Sequence, residues 1–290
     1  MPSLTILKVL LHELTSRERQ PRVPEPDLVM DNPEHVDAFA QSGAADQVMA
    51  PIYLYNAAHV SDIIRPGDLV IDLGCGPATQ LSLIARLNPD VRFVGVDLSE
   101  PMLERGHGHL QEVGIGNVEM QLGDITDLAS FESHSIDAVI STLALHQLPD
   151  ADALHRTLHA AKRVLKDGGG LYLLDFGRLK SLKSIDALTR EVAPRQSELM
   201  TLDYWHSLRA AFSLEDLTSA TSVLAGSGKL HSTFLAPLLV AFKSVARRSP
   251  PAELRERYKR LCDDHLNGQE SDFNDLVRFF RLSGLRSALL

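Results

Sequence analysis

The chain has only two cysteines in 290 residues, Cys75 and Cys262. That is too few for a disulfide scaffold or a multi-cysteine metal centre, so no metal site is expected. Positive charge is also short, with 29 Lys and Arg against 38 Asp and Glu and a net charge of −9. Broad binding to nucleic acid or to an anionic membrane needs clustered basic residues and is disfavoured. No run of 18 apolar residues occurs, which excludes a membrane-spanning helix. The apolar stretch near the N-terminus is short and lacks a basic flank. It is followed by Glu13, Arg17 and Glu18 rather than by small residues, so no targeting signal is read and a cytoplasmic protein is expected. Aromatic residues are scarce at 6 %. What remains is an ordinary globular balance, 44 % hydrophobic and 23 % charged, enough for one large decorated domain or two small ones.

The apolar periodicity predicts a short helix over residues 3–18, a proline-rich loop through Pro21, Pro24, Pro26 and Pro33, and a second helix from about Ala44 to Ile64. After the turn at Arg65-Pro66-Gly67-Asp68 the pattern alternates. Strands are expected at 69–73, 91–97, 118–122, 136–141 and 171–176. Helices are expected at 78–87, 100–113 and 151–165, and Lys166-Asp167-Gly168-Gly169-Gly170 reads as a stop and turn. Strands separated by helices predict βαβ units, a mainly parallel sheet and a doubly wound α/β fold. Residues 178–226 then read as a helical insertion. Lys229–Phe234 and Leu238–Phe242 lie too close for a helical crossover and should pair as an antiparallel hairpin. The expected organisation is an N-terminal helical segment 1–44, a core 45–247 that includes the insertion, and a helical tail 248–290.

The chemistry concentrates in Val70-Ile71-Asp72-Leu73-Gly74-Cys75-Gly76-Pro77-Ala78-Thr79, a buried strand running through a glycine turn into a helix. Gly74 and Gly76 let the backbone bend and approach a ligand, and the helix N-terminus offers free N–H groups. Asp97 ends the next strand 21 positions after Gly76. That is the distance at which an acidic residue meets ribose hydroxyls in βαβ nucleotide sites; the bland alternative is a cap on the helix near Ser99. Two ligand classes share this geometry, dinucleotides and S-adenosylmethionine. The dinucleotide fingerprint wants a third glycine where this chain has Thr79. Asp72 would repel a pyrophosphate but suits a ligand ammonium. Asp124, in the loop after the third strand, can accept from an adenine amino group or cap the following turn.

These residues together resemble the class I S-adenosylmethionine-dependent methyltransferases. The resemblance spans about residues 45–245. Asp72-Leu73-Gly74-Cys75-Gly76-Pro77 is similar to the family's first motif, Asp97 to its ribose-binding acid, and Asp124-Ile125 to its adenine-contacting pair. Ser141-Thr142-Leu143-Ala144-Leu145-His146-Gln147-Leu148 and Leu165-Lys166-Asp167-Gly168-Gly169 are similar to the segments around its fourth and fifth strands. Ala78 departs from the pattern, since the family often has a third glycine there. The resemblance implies a Rossmann-like seven-stranded sheet with S-adenosylmethionine as cofactor. Asp72, Gly74, Cys75, Gly76, Asp97, Leu98, Met102, Asp124, Ile125 and Thr142 would contact that cofactor.

No Asn-Pro-Pro-Tyr type motif follows the fourth strand, which disfavours amide and exocyclic-amine acceptors on nucleic acid or protein. The segment is similar to that of small-molecule and quinone methyltransferases, so methyl transfer to O, N, S or C of a small molecule is expected. His146 is the candidate base or substrate orienter, and Asp175 the group that orients it or holds a cationic substrate. Tyr53, Tyr55, Tyr204, Trp205 and His206 are candidate substrate-pocket residues, with lid packing as the plainer reading. Cys75 beside a helix N-terminus reads either as a thiol of lowered pKa or, more plainly, as small buried packing. The amphipathic tail around residues 276–286 reads as a docking helix or a homodimer contact, with a membrane or acidic partner as the alternative. Two rival functions stay open: a non-catalytic, methyltransferase-like binding or regulatory protein, and an NAD-dependent oxidoreductase.

Overall fold

The computed structural model describes residues 4–17, 19–42 and 48–290. Seven strands form one mixed sheet: β1 (Leu69–Leu73), β2 (Arg92–Asp97), β3 (Val118–Leu122), β4 (Ile136–Thr142), β5 (Leu165–Phe176), β6 (Gly228–Ser232) and β7 (Leu239–Ser244). Their order is β3-β2-β1-β4-β5-β7-β6. The first five are parallel, while β7 runs antiparallel between β5 and β6, which is the expected hairpin. The sheet is doubly wound. Strand order reverses between β1 and β4, and at such a switch point the crossover helices diverge and open a crevice beyond the carboxyl ends of the strands.

The helices follow from apolar faces and explicit caps. Between the strands run α4 (Thr79–Leu87), α5 (Glu100–Glu112) and α6 (Ala151–Val164). Ser99 caps α5 by accepting from Met102 N at 3.2 Å, and Asp150 caps α6 by accepting from Ala153 N at 2.8 Å. Before the sheet lie α1 (Leu4–Thr15), α2 (Pro33–Ser42) and α3 (Ala50–Ile63). The insertion folds as α7 (Leu182–Val192), α8 (Glu198–Ala210) and α9 (Leu214–Thr221), and the tail as α10 (Ala252–His265) and α11 (Glu270–Leu282).

Three local expectations change. The proline-rich loop was not expected to contain α2, which Pro33 opens in the first turn, where a missing N–H costs no helical hydrogen bond. The second expected helix starts at Ala50 rather than near Ala44; residues 43–47 lie outside the described residues, as do Ser3 and Glu18 of the first. The Lys166–Gly170 stop is a bulge within β5. Pairing jumps from Ile136↔Leu165 to Ala138↔Gly170, with Gly168 at φ +71°.

The decorations are tied to the core by buried polar contacts. Glu13 of α1 is buried and accepts from Lys180 N (2.8 Å), Ser181 N (3.2 Å) and Ser184 Oγ (2.7 Å), setting a carboxylate on the N-terminus of α7. Arg22 donates to the carbonyls of His146 (2.9 Å), Leu148, Pro149 (2.6 Å) and Ala210 (2.6 Å). That one guanidinium fastens the N-terminal loop to the segment after β4 and to the end of α8. The tail docks through Phe280, which is fully buried and stacks on Tyr55 of α3 at 5.4 Å between ring centroids. Among the described residues no helix is long and apolar enough to cross a membrane.

Candidate cofactor and active site

A cavity of about 300 Å³ opens at the switch point. All ten residues expected to contact a cofactor line it: Asp72, Gly74, Cys75, Gly76, Asp97, Leu98, Met102, Asp124, Ile125 and Thr142. They come from the carboxyl ends of β1, β2, β3 and β4 and the loops that follow, so a parallel sheet gathers residues 72 to 142 at one edge.

The turn after β1 is shaped for close approach. Gly74 has φ +73°, and a Cβ there would stand 2.4 Å from the Cβ of Ala144. Gly74 N and Cys75 N donate to Val96 O at 2.8 and 3.2 Å, which ties the turn to β2. Ala78 adopts φ +55° at the start of α4 and is fully buried. Alanine therefore takes the left-handed conformation that a third glycine would adopt freely, at a cost of about 1 kcal/mol. Leu143, also in the cavity wall, has φ +54°. Burial raises the Cys75 thiol well above its ordinary pKa, helped by Asp97 and Asp72. It is a packed thiol rather than an activated one.

Asp97 is pre-oriented. Its Oδ2 accepts from Gly76 N at 2.8 Å and its Oδ1 from Ser99 N at 3.0 Å. Each oxygen keeps a lone pair for a ligand hydroxyl. Burial raises its pKa while these N–H donors oppose the rise. Asp124 Oδ1 accepts from Thr126 N at 2.7 Å, so it closes its own turn and faces the cavity as well. Thr142 is held from below by a buried amide chain. Gln80 Nε2 donates to its Oγ1, Asn56 Nδ2 donates to Gln80 Oε1 at 2.8 Å, and Tyr172 OH donates to Asn56 Oδ1 at 2.9 Å.

Asp72 is different. It is 3 % exposed, and its Oδ1 has no hydrogen-bond partner. Burial and the nearby Asp97 push its pKa up to about 7. Arg156, exposed on α6, is the only Lys or Arg among the described residues of the cavity wall. A buried carboxylate without a counter-ion costs stability in the empty protein, and a ligand cation relieves that cost. The orphaned oxygen, the glycine cradle and the pre-set Asp97 fit the ammonium, methionyl backbone and ribose of S-adenosylmethionine.

His146 sits in the 3-10 turn Leu145–Gln147 after β4, buried just behind the cavity. Asp175, near the end of β5, accepts from His146 N at 3.0 Å and faces its Nδ1 at 2.7 Å. Burial pulls the His146 pKa down, but Asp175, Glu25 and Asp203 carry it above its ordinary value. The neighbouring residues Ala144, Gln147 and Leu148 line the cavity, and His146 itself faces the Glu25 carboxylate at 3.9 Å through Nε2.

The aromatic candidates separate. Tyr53 lines the cavity. Tyr55 lies outside it, on the buried contact with His59 and Phe280. Tyr204 packs on Phe176, which packs on His146, with centroids 5.6 and 5.2 Å apart. Trp205 donates to Asp186 at 3.3 Å and carries Arg209 over its ring. His206 lines a second cavity beside the first. Met30, Phe39, Met49 and Gln147 also line the cofactor cavity, and sequence reasoning did not single them out. Met30 and Phe39 belong to a loop and a helix that carry no motif, and only tertiary packing brings them over the sheet.

A family model described as a methyltransferase domain matches residues 64–224, more than half of the chain. An uncharacterised 37.1 kDa protein of a Streptomyces fradiae transposon is 36 % identical over 110 residues, 38 % of this chain and 30 % of that protein. The ubiquinone/menaquinone biosynthesis C-methyltransferase UbiE of Teredinibacter turnerae is 32 % identical over 145 residues, 48 % of this chain and 57 % of that protein. The chain thus spans 30 % to 57 % of these relatives' lengths. Among solved structures, a SAM-dependent methyltransferase from Aquifex aeolicus superposes with a TM-score of 0.52 at 13 % identity, covering 75 % of this chain and all of that one, a likeness of fold. The matched segment holds the glycine turn, strands β1 to β5 and the part of the cavity wall that those strands supply, and the chain belongs to the methyltransferase-domain family.

Proposed function

We propose that the protein transfers a methyl group from S-adenosylmethionine to a nucleophilic atom of a small molecule. The observation that carries this reading is Asp72, a buried carboxylate with an orphaned oxygen on the wall of a glycine-cradled cavity. Asp72 meets the cofactor ammonium, and the main chain of Gly74, Cys75 and Gly76 cradles the methionyl end. Asp97 takes the ribose hydroxyls. Asp124 and Ile125, flanked by Leu98 and Met102, take the adenine. Bound there, the cofactor supplies an activated methyl on a sulfonium. The protein's own contribution is then mainly proximity, orientation and, for a protonated nucleophile, a base.

His146 is that base or orienter, with Asp175 holding the imidazole through Nδ1. Tyr53, the Tyr204–Trp205–His206 segment and the N-terminal loop shape the acceptor side. The relatives named for C-methylation in quinone biosynthesis support a small-molecule acceptor over nucleic acid. A homodimer through the helical extensions would use the exposed leucines of α1, Leu4, Leu7, Leu11 and Leu14.

Calorimetry with S-adenosylhomocysteine against NAD tests the cofactor. S-adenosylhomocysteine should bind and NAD should not; tight NAD binding alone would sink the reading. Incubation with labelled S-adenosylmethionine and a metabolite extract tests turnover. Cofactor binding without transfer to any component would favour a regulatory binding protein.

A further inference from the structure

Beside the cofactor cavity lies a second one of about 340 Å³, and the two share Val29, Met30 and Gln147 in their walls. Its polar wall carries four carboxylates, Glu25, Asp27, Asp31 and Asp203, with His35 and His206 as the only basic side chains among the described residues. Arg22, whose charge reaches Glu25, does not line this cavity and donates to main-chain carbonyls. The Glu25 side chain is only 8 % exposed. Its Oε1 accepts from Ser207 Oγ at 2.8 Å, and its other oxygen accepts nothing among the described residues. Asp203 likewise has no hydrogen bond or ion pair there. Burial raises the pKa of both groups, while His146 beside each of them, and His35 and His206 beside Asp203, oppose the rise.

We infer that this second cavity is the acceptor subsite and that it takes a cationic, amine-bearing small molecule, with Glu25 and Asp203 as its counter-ions. An ammonium seated there would give the free oxygen of Glu25 a charge-assisted hydrogen bond and relieve the crowding of four carboxylates. A neutral or anionic acceptor of the same size gains neither. The proton that an ammonium sheds before its nitrogen can attack has Glu25 beside it and His146 Nε2 behind, 3.9 Å from that carboxylate. The inference rests on the methyl-transfer reading for the fate of the ligand, not for its binding.

The test compares three ligands of one skeleton, 2-phenylethylamine, 2-phenylethanol and phenylacetate, by calorimetry with and without saturating S-adenosylhomocysteine. The amine should bind at least about tenfold more tightly than the other two. That factor matches a single charge-assisted hydrogen bond. Glu25→Gln and Asp203→Asn should each remove most of the preference and leave S-adenosylhomocysteine affinity unchanged. Equal binding of the three, binding of none, or a preference that survives both substitutions overturns the inference. A wild-type protein that prefers the amine but ignores S-adenosylhomocysteine overturns the methyl-transfer reading instead.

Discussion

The two edges of the sheet treat their carboxylates in opposite ways. At the amino edge Asp68 meets Arg247 at 2.5 Å and Arg65 N at 2.8 Å, while Asp137 meets Lys166 at 2.8 Å and Leu69 N at 3.0 Å. These acids are neutralised by the chain's own cations. At the carboxyl edge Asp72, Asp97 and Asp124 have no Lys or Arg partner among the described residues, and Asp175 has only His146. Asp68 directly precedes β1 and Asp72 lies near its carboxyl end, four residues on. One serves the fold, and the other leaves negative charge uncompensated where a cationic ligand would supply the balance. The second cavity extends that acidic edge outward.

The largest expected effect that separates the edges is in turnover. His146→Ala should lower kcat by about 100-fold or more, the contribution of a positioned base, and change S-adenosylhomocysteine affinity by less than about twofold. Equal losses in both would reduce His146 to a packing residue. Next come the paired aspartates. Asp72→Asn should weaken S-adenosylhomocysteine binding by about 3 kcal/mol, roughly 100-fold, and raise the melting temperature of the ligand-free protein. Asp68→Asn should do the reverse, costing about 3 kcal/mol of stability in denaturant titration with ligand affinity intact. If both variants behaved alike, the contrast between the edges would fail.

Asp97→Ala should cost about 1.5–3 kcal/mol of cofactor binding, and an unchanged dissociation constant would remove its ribose role. The smallest effect is with pH. Asp72 is raised from 3.8 to about 7 in the folded chain. Between those values the unfolded chain has lost the proton and the folded chain keeps it. The Asp72 contribution to ligand-free stability therefore falls as pH rises from about 4 to about 7 and is level above. Ligand ammonium prefers the ionised form, so S-adenosylhomocysteine affinity should rise by up to about tenfold per pH unit toward pH 7 and then flatten. Melting curves and calorimetry across pH 5–8 would check both trends, and Asp72→Asn should abolish them.

Much of this is legible in the sequence. Asp72, Gly74, Gly76, Asp97 and Asp124 stand at strand ends, and a parallel sheet must bring strand ends together. The hairpin followed from a connection too short for a crossover helix. Glu25 was not legible. It lies between Pro24 and Pro26 in a loop without periodicity, and its place beside His146 depends on Arg22 capturing carbonyls more than 120 residues away. Tyr55 misled for the same reason. Nearly every residue of α3 is buried, so its one-dimensional pattern does not tell the face toward the cavity, which holds Tyr53, from the face toward α11.

The sequence by itself determined the alternation of elements, the parallel core and the glycine turn at its carboxyl edge, because these rest on local periodicity and on turns that only glycine forms cheaply. Only the tertiary structure decided which carboxylates would be left without cations. Pairing of Asp68 with Arg247 or of Asp137 with Lys166 is settled by which distant side chains fold to within hydrogen-bond reach. The isolation of Asp72 from any Lys or Arg among the described residues was settled in the same way, as was the seating of Glu25 against the His146 imidazole.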